Sequence, residues 1–259
     1  MLEENQGVRS VNDAPTPRAD VPNGPVRLRL VNGSNARIYE LSFSDDRTFH
    51  WIGTEGGLLA RSVELQAITL APGQRAEILV SFANGQPVSL VTGQDANGSM
   101  MGMMGGHDDD EDDASTTETV LTFSPRPGLG GRAAAAVPLL LAAHTVPDPE
   151  AAVRRRRFVL NMSMGGMMDS DDGAYAINDR PFDIDHIDEE VGLGDVEIWK
   201  VSGKKMAHPF HIHGVHFDVL RRDGDDPHLL DQGPRATIRA RHSRLASSMI
   251  VRMRNLRPS

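Results

Sequence analysis

HPFHIHGVHFDVL, running from His208 to Leu220, holds four of the chain's ten histidines within nine positions. Residues two apart in a strand project to the same side, so an extended conformation here turns His211 and His213 toward one another. The composition favours that conformation: Ile212, Phe217, Val219 and Leu220 are good strand formers, and Pro209 disfavours helix for His208 just before it. Two imidazoles on one side of a strand make half of a metal site.

The same extended pattern recurs on moving outward from this stretch. VRLRLV from Val26, then IYELSF, TFHWIG, AEILVSF, VSLVTG and ETVLTFSP are short apolar or alternating runs, separated by DD, EGG, APGQ and ANGQ. Regular short strands with Gly, Asn, Asp and Pro between them predict a β-sandwich or barrel that closes near Phe123. PRPGLGG and the alanine-rich run up to DPEAA read as a linker. A second β unit opens at RRRRFVLNM and continues through AYAIND, PFDI, DVEIWKV and the histidine strand. The expected organisation is an N-terminal tail at 1–17, a domain at 18–126, a linker at 127–155, a partial domain at 156–233, and a basic tail at 234–259. That tail has seven arginines, no acidic residue and little alternation. It reads either as a basic arm for RNA or an acidic partner, or as sequence that has left the ancestral reading frame; the second is the expectation. The four arginines from Arg154 are expected to form a solvated or domain-bridging patch.

Composition narrows the function classes. With 36 acidic against 27 basic residues, the chain is a poor nucleic-acid surface and a better partner for cations. It has no cysteine, so neither a disulfide nor a thiolate metal site can form from it alone. Eight of its twelve methionines fall in MMGMMGGH (Met100 to His107) and MSMGGMM (Met162 to Met168), each followed by an acidic run. Thioethers suit Cu(I), and carboxylate and imidazole suit Cu(II), so these read either as copper-holding loops or as low-complexity loops with incidental methionine. The longest apolar run, from Ala133, is 11 residues long and broken by Pro138, too short to span a bilayer. MLEENQGVRS has neither an apolar h-region nor a small-residue cleavage site, so no secretory signal is expected.

HPFHIHG resembles the first half of the copper-ligand signature of multicopper oxidases, most closely the bacterial cuprous-oxidase and copper-tolerance branch. VPNGPVRLRLVNGSNARIYEL and WIGTEGGLLARSVELQAITLAPGQRAEILVSF resemble the middle cupredoxin-like domain of that family. AINDRPFDID, GDVEIWKV and HPFHIHGVHFDVL resemble the opening of its third domain. The resemblance covers about residues 18–126 and 156–224. It implies an all-β fold of two cupredoxin-like sandwich or barrel units, the second incomplete, with copper as cofactor and the periplasm as location. The missing leader keeps the cytoplasm as the alternative. By position in the motif, His208 resembles a ligand of type 1 copper, His211 of type 2 copper and His213 of the paired type 3 coppers; His216 matches no ligand. The family's reaction is one-electron oxidation of Cu(I) or phenolic substrates, coupled to four-electron reduction of oxygen to water.

The departures are equally specific. Type 1 copper needs a thiolate, which this chain lacks, and the family's first domain with its further His-x-His pairs is missing. The expected function is therefore a copper-binding protein of multicopper oxidase type that is incomplete or inactive as a single chain. The alternative is a noncatalytic copper-holding protein using its methionine and acidic loops. The expected partners are copper ions, with missing domains supplied by another chain or by further copies of this one, and neither nucleic acid nor membrane. A mononuclear metal enzyme of cupin type ranks below both; it would recruit His186, Glu189 or Glu190. Trp51 and Trp199 are expected in the core, and Glu55 and Glu197 are expected as solvated or turn carboxylates.

Overall fold

The alternating runs become strands because each has an apolar face to bury and turn residues at its ends. The computed structural model describes residues 11, 17–35, 37–93, 117–129, 137–162, 175–203, 208–240 and 247–252. The chain divides into two units: Met1–Gly53 with Arg61–Leu141, and Thr54–Ala60 with Ala142–Ser259. Both are built of β-sheets, the all-β sandwich architecture that the strand spacing predicts.

The strands up to residue 126 are β1 (Arg18–Pro22), β2 (Pro25–Val31), β3 (Tyr39–Phe43), β4 (Phe49–Thr54), β5 (Gly57–Leu65), β6 (Ala67–Leu70), β7 (Arg75–Ser81), β8 (Val88–Thr92) and β9 (Glu118–Arg126), all in the first unit except Thr54 of β4 and Gly57–Ala60 of β5. They form a five-stranded sheet ordered β1-β9-β8-β3-β6 and a four-stranded sheet ordered β2-β7-β4-β5. Their inner faces enclose an aromatic core. Phe43 meets Phe49 with ring centroids 5.9 Å apart, and Phe82 meets Phe123 at 5.1 Å. Trp51 is buried, and its indole N–H donates to the Gly53 carbonyl at 2.7 Å, which satisfies the one polar atom it takes inside.

The second unit contains β10 (Arg154–Met162), β11 (Tyr175–Ile177), β12 (Arg180–Pro181), β13 (Val196–Gly203), β14 (His208–His211), β15 (Phe217–Arg221), β16 (Thr237–Ala240) and β17 (Ser247–Arg252). Six of them form a sheet ordered β12-β11-β10-β13-β17-β15, and β14 pairs with β16 in a two-stranded sheet. Asn178 and Asp179, both at positive φ, turn β11 into β12. The core gathers Phe158, Trp199, Val201, Phe210, Phe217, Ile238 and Met249.

Within the segment from Pro234 lie β16 and β17, and Ile238, Ala240 and Met249 are fully buried. β17 is an interior strand buried on both faces and shows no alternation, which is why the sequence hides it. Two expectations are corrected here. Glu197 is no solvated carboxylate. It is 2% exposed, and Arg156, from the arginine run, donates to it from Nε at 2.5 Å while the Trp199 indole donates at 2.8 Å. Glu55 is also buried, and Ala236 N–H and Thr237 N–H donate to its Oε1 at 3.3 and 3.0 Å. Within the segment read as a linker, Leu139 O accepts from Ser62 N–H at 3.1 Å, and His144 Nε2 lies 2.5 Å from Asp218 Oδ1. No helix among the described residues is long and apolar enough to cross a membrane. MMGMMGGH and MSMGGMM, apart from Met162, lie outside the described residues.

Candidate metal centre

β14 places its side chains by strand alternation. His208 and Phe210 share one face, and Pro209 and His211 share the other. Phe210 is anchored in the core, stacked at 5.7 Å on Phe158, which in turn lies 4.7 Å from the Trp199 ring. The backbone of β14 is fixed by its antiparallel ladder with β16, in which His208 faces Ala240 and His211 faces Thr237.

The strand ends at His211, so His213 is not the strand residue that the pattern predicts. It occupies a turn with Gly214, whose φ of +77° is the left-handed region that favours glycine. The two rings still meet. Their centroids are 4.7 Å apart at an interplanar angle of 87°, and both residues are exposed. His211 Nδ1 lies 2.9 Å from the Thr237 hydroxyl.

His208 belongs to a different environment. Together with Phe158, Leu160, Trp199, Pro209 and Phe210 it lines a cavity of about 730 Å³. Burial lowers the His208 pKa below the ordinary histidine value, because the charged ring loses hydration there. A neutral ring keeps a nitrogen lone pair available.

The chemistry of this donor set fits copper in part. Edge-to-face imidazoles can offer two nitrogen donors to one ion or to neighbouring ions, and neutral imidazole suits copper. No group of three or more His, Cys, Asp or Glu able to hold a metal occurs among the described residues. With no cysteine, His208 has no thiolate to share a type 1 site with. Two of the cupin-type candidates have other partners: Glu189 pairs with Arg156, and His186 Nε2 lies 3.6 Å from Asp188. His216 is exposed, beyond the end of β14. Thr237, whose hydroxyl meets His211, was missed by the sequence reading, and Glu55, which accepts from the Thr237 N–H, was read as a solvated or turn carboxylate. They sit 26 and 156 residues from His211; strand pairing brings Thr237 opposite His211, and Glu55 reaches Thr237 from the turn between β4 and β5.

Comparison with known proteins agrees with this architecture. A family model described as multicopper oxidase matches residues 155–255, a span that includes β16 and β17. Cell division protein FtsP of Proteus mirabilis is 35% identical over 230 residues, 88% of this chain and 45% of that protein. FtsP of Xenorhabdus nematophila is 34% identical over 228 residues, with the same shares of the two chains. The chain thus spans about half the length of the curated relatives it matches. Among solved structures, the laccase-like multicopper oxidase CueO of Ochrobactrum sp. superposes with a TM-score of 0.78 at 30% identity, over 94% of this chain and 52% of that one. A laccase of Pediococcus acidilactici gives a TM-score of 0.72 at 26% identity, over 94% and 47%. In fold, in the HPFHIHG motif and in these similarities, the chain resembles multicopper oxidases, and residues 155–255 match that family's model.

Proposed function

We propose that this chain is a copper-binding protein of multicopper oxidase type that does not complete the family's oxidation by itself. His211 and His213 are the donors to a shared copper centre, and His208 is a separate ligand position on the opposite face of β14. The observation that carries this reading is the meeting of the His211 and His213 rings at 4.7 Å, on the motif that resembles the family's ligand signature. Copper bound there would supply one-electron redox chemistry. The chain's own part is to hold two imidazole rings in a fixed relation at an exposed edge, where further ligands from another chain can reach them. The resemblance supports the periplasm as its location, with the cytoplasm as the alternative.

Copper analysis of the purified protein tests the assignment. Wild type should retain copper, the double variant His211→Ala/His213→Ala should lose the equivalent bound through the pair, and unchanged stoichiometry would remove the pair from consideration. A second reading rests on the curated relatives, which are named for cell division and match 88% of this chain. In that reading the β scaffold serves protein contacts and no metal. A wild-type chain that takes up no copper, yet complements the loss of such a relative in cell division, would decide in its favour.

A further inference from the structure

Thr237 is 1% exposed, yet it carries a hydroxyl where valine would fit with no polar atom to satisfy. Its oxygen lies 2.9 Å from His211 Nδ1. The residue is itself held from several directions. Its N–H donates to Glu55 Oε1 at 3.0 Å, Ala236 N–H donates to the same oxygen at 3.3 Å, and Ile212 N–H donates to Ala236 O at 3.0 Å. Ile238, next in β16, is fully buried. The hydroxyl is therefore a fixed point against which an exposed imidazole is set.

A hydroxyl can either accept the Nδ1–H of a neutral histidine or donate to a bare Nδ1. The two cases have opposite consequences. If Nδ1 accepts, the ring proton sits on Nε2 and the ring has no lone pair left for a metal. If Nδ1 donates, Nε2 is unprotonated and can serve as a ligand. We infer that Thr237 is a positioning residue that accepts the Nδ1–H of His211, fixing both the rotation of that ring and its tautomer, with Glu55 anchoring Thr237 through its backbone. This rests on the copper reading for its purpose but not for its test. The tautomer can be read without metal, and histidine free in water prefers the opposite one.

Nitrogen-15 NMR of the metal-free full chain at about pH 8, where an ordinary imidazole is neutral, reports which His211 nitrogen carries the proton. Wild type should show the Nδ1–H form. Thr237→Val should shift His211 toward Nε2–H, and Thr237→Ser should restore the wild-type spectrum. Cu(II) affinity should fall by about 10–100-fold in Thr237→Val and recover in Thr237→Ser. A wild-type His211 protonated on Nε2, or a tautomer unmoved by Thr237→Val, overturns the inference whether or not copper binds. A tautomer that moves as expected upholds it; if copper affinity then stays constant, the copper role of His211 falls instead. Should Thr237→Val fail to fold, the wild-type spectrum alone still decides.

Discussion

Glu197 shows how one buried carboxylate organises its surroundings. Arg156 is 7% and Glu197 3% exposed at the side chain, and the Trp199 indole supplies a further donor to the same carboxylate. The hydrogen bond from Arg156 outweighs burial and holds the Glu197 pKa below its ordinary value. In the unfolded chain this carboxyl takes up a proton near pH 4.3, and in the folded chain only at lower pH. The pair's contribution is thus fully present above the unfolded value and is lost as pH falls through the folded one. Acid titration of stability should show this loss below about pH 4.3 in wild type and a shallower slope in Glu197→Gln. At neutral pH, Glu197→Gln should cost about 3 kcal/mol, since it leaves the buried guanidinium short of a countercharge. Denaturant unfolding of the two proteins checks both statements. Asp231 follows the same logic deeper in the unit: burial pushes it up, but Arg222 reverses the direction and holds it low.

At the scale of elements, the strand pair β14 and β16 and the interior strand β17 decide whether the histidines are presented at all. β17 lies between β13 and β15, and its Met249 is fully buried opposite Trp199 and Val219. Met249→Ala should destabilise the second unit by about 2–5 kcal/mol, as expected for a truncated core side chain. Hydrogen exchange at Ile198–Val201 reads the loss. Elements that alternate were legible in the sequence: VRLRLV became β2, HPFH became β14, and the His211 and His213 rings met although His213 left the strand. TIRA and SSMIVR were not legible, because burial on both faces removes alternation and their arginines looked like a foreign composition. Glu197 was misread because its partner, Arg156, stands 41 residues away in a run that looked solvated. Thr237 carried no signal, since a lone threonine in a strand gives no hint of what it faces.

For the whole molecule, the absence of cysteine sets a spectroscopic expectation. A copper–thiolate bond gives the intense blue colour of type 1 sites, and no arrangement of this chain or its copies can form one. Copper-loaded protein should therefore lack the blue thiolate band while showing the weaker absorption and magnetic resonance of nitrogen-ligated Cu(II). A strong blue band in preparations free of other proteins would contradict the proposed donor set.

The second unit is encoded in two separated places. Thr54–Ala60 folds with the last 118 residues, Glu55 holds the N–H of Thr237 across 182 positions, and a side chain at Gly56 would collide with the Pro234 carbonyl. During synthesis at about 5–20 residues per second, this short insert leaves the ribosome on the order of ten seconds or more before its counterpart exists. A chain cut to residues 142–259 should then give broad, non-cooperative melting in calorimetry, and adding a peptide of residues 54–60 should sharpen it. Evolution or engineering that shuffles domains at the apparent boundary near residue 141 would thus leave behind seven residues on which the histidine-bearing half depends.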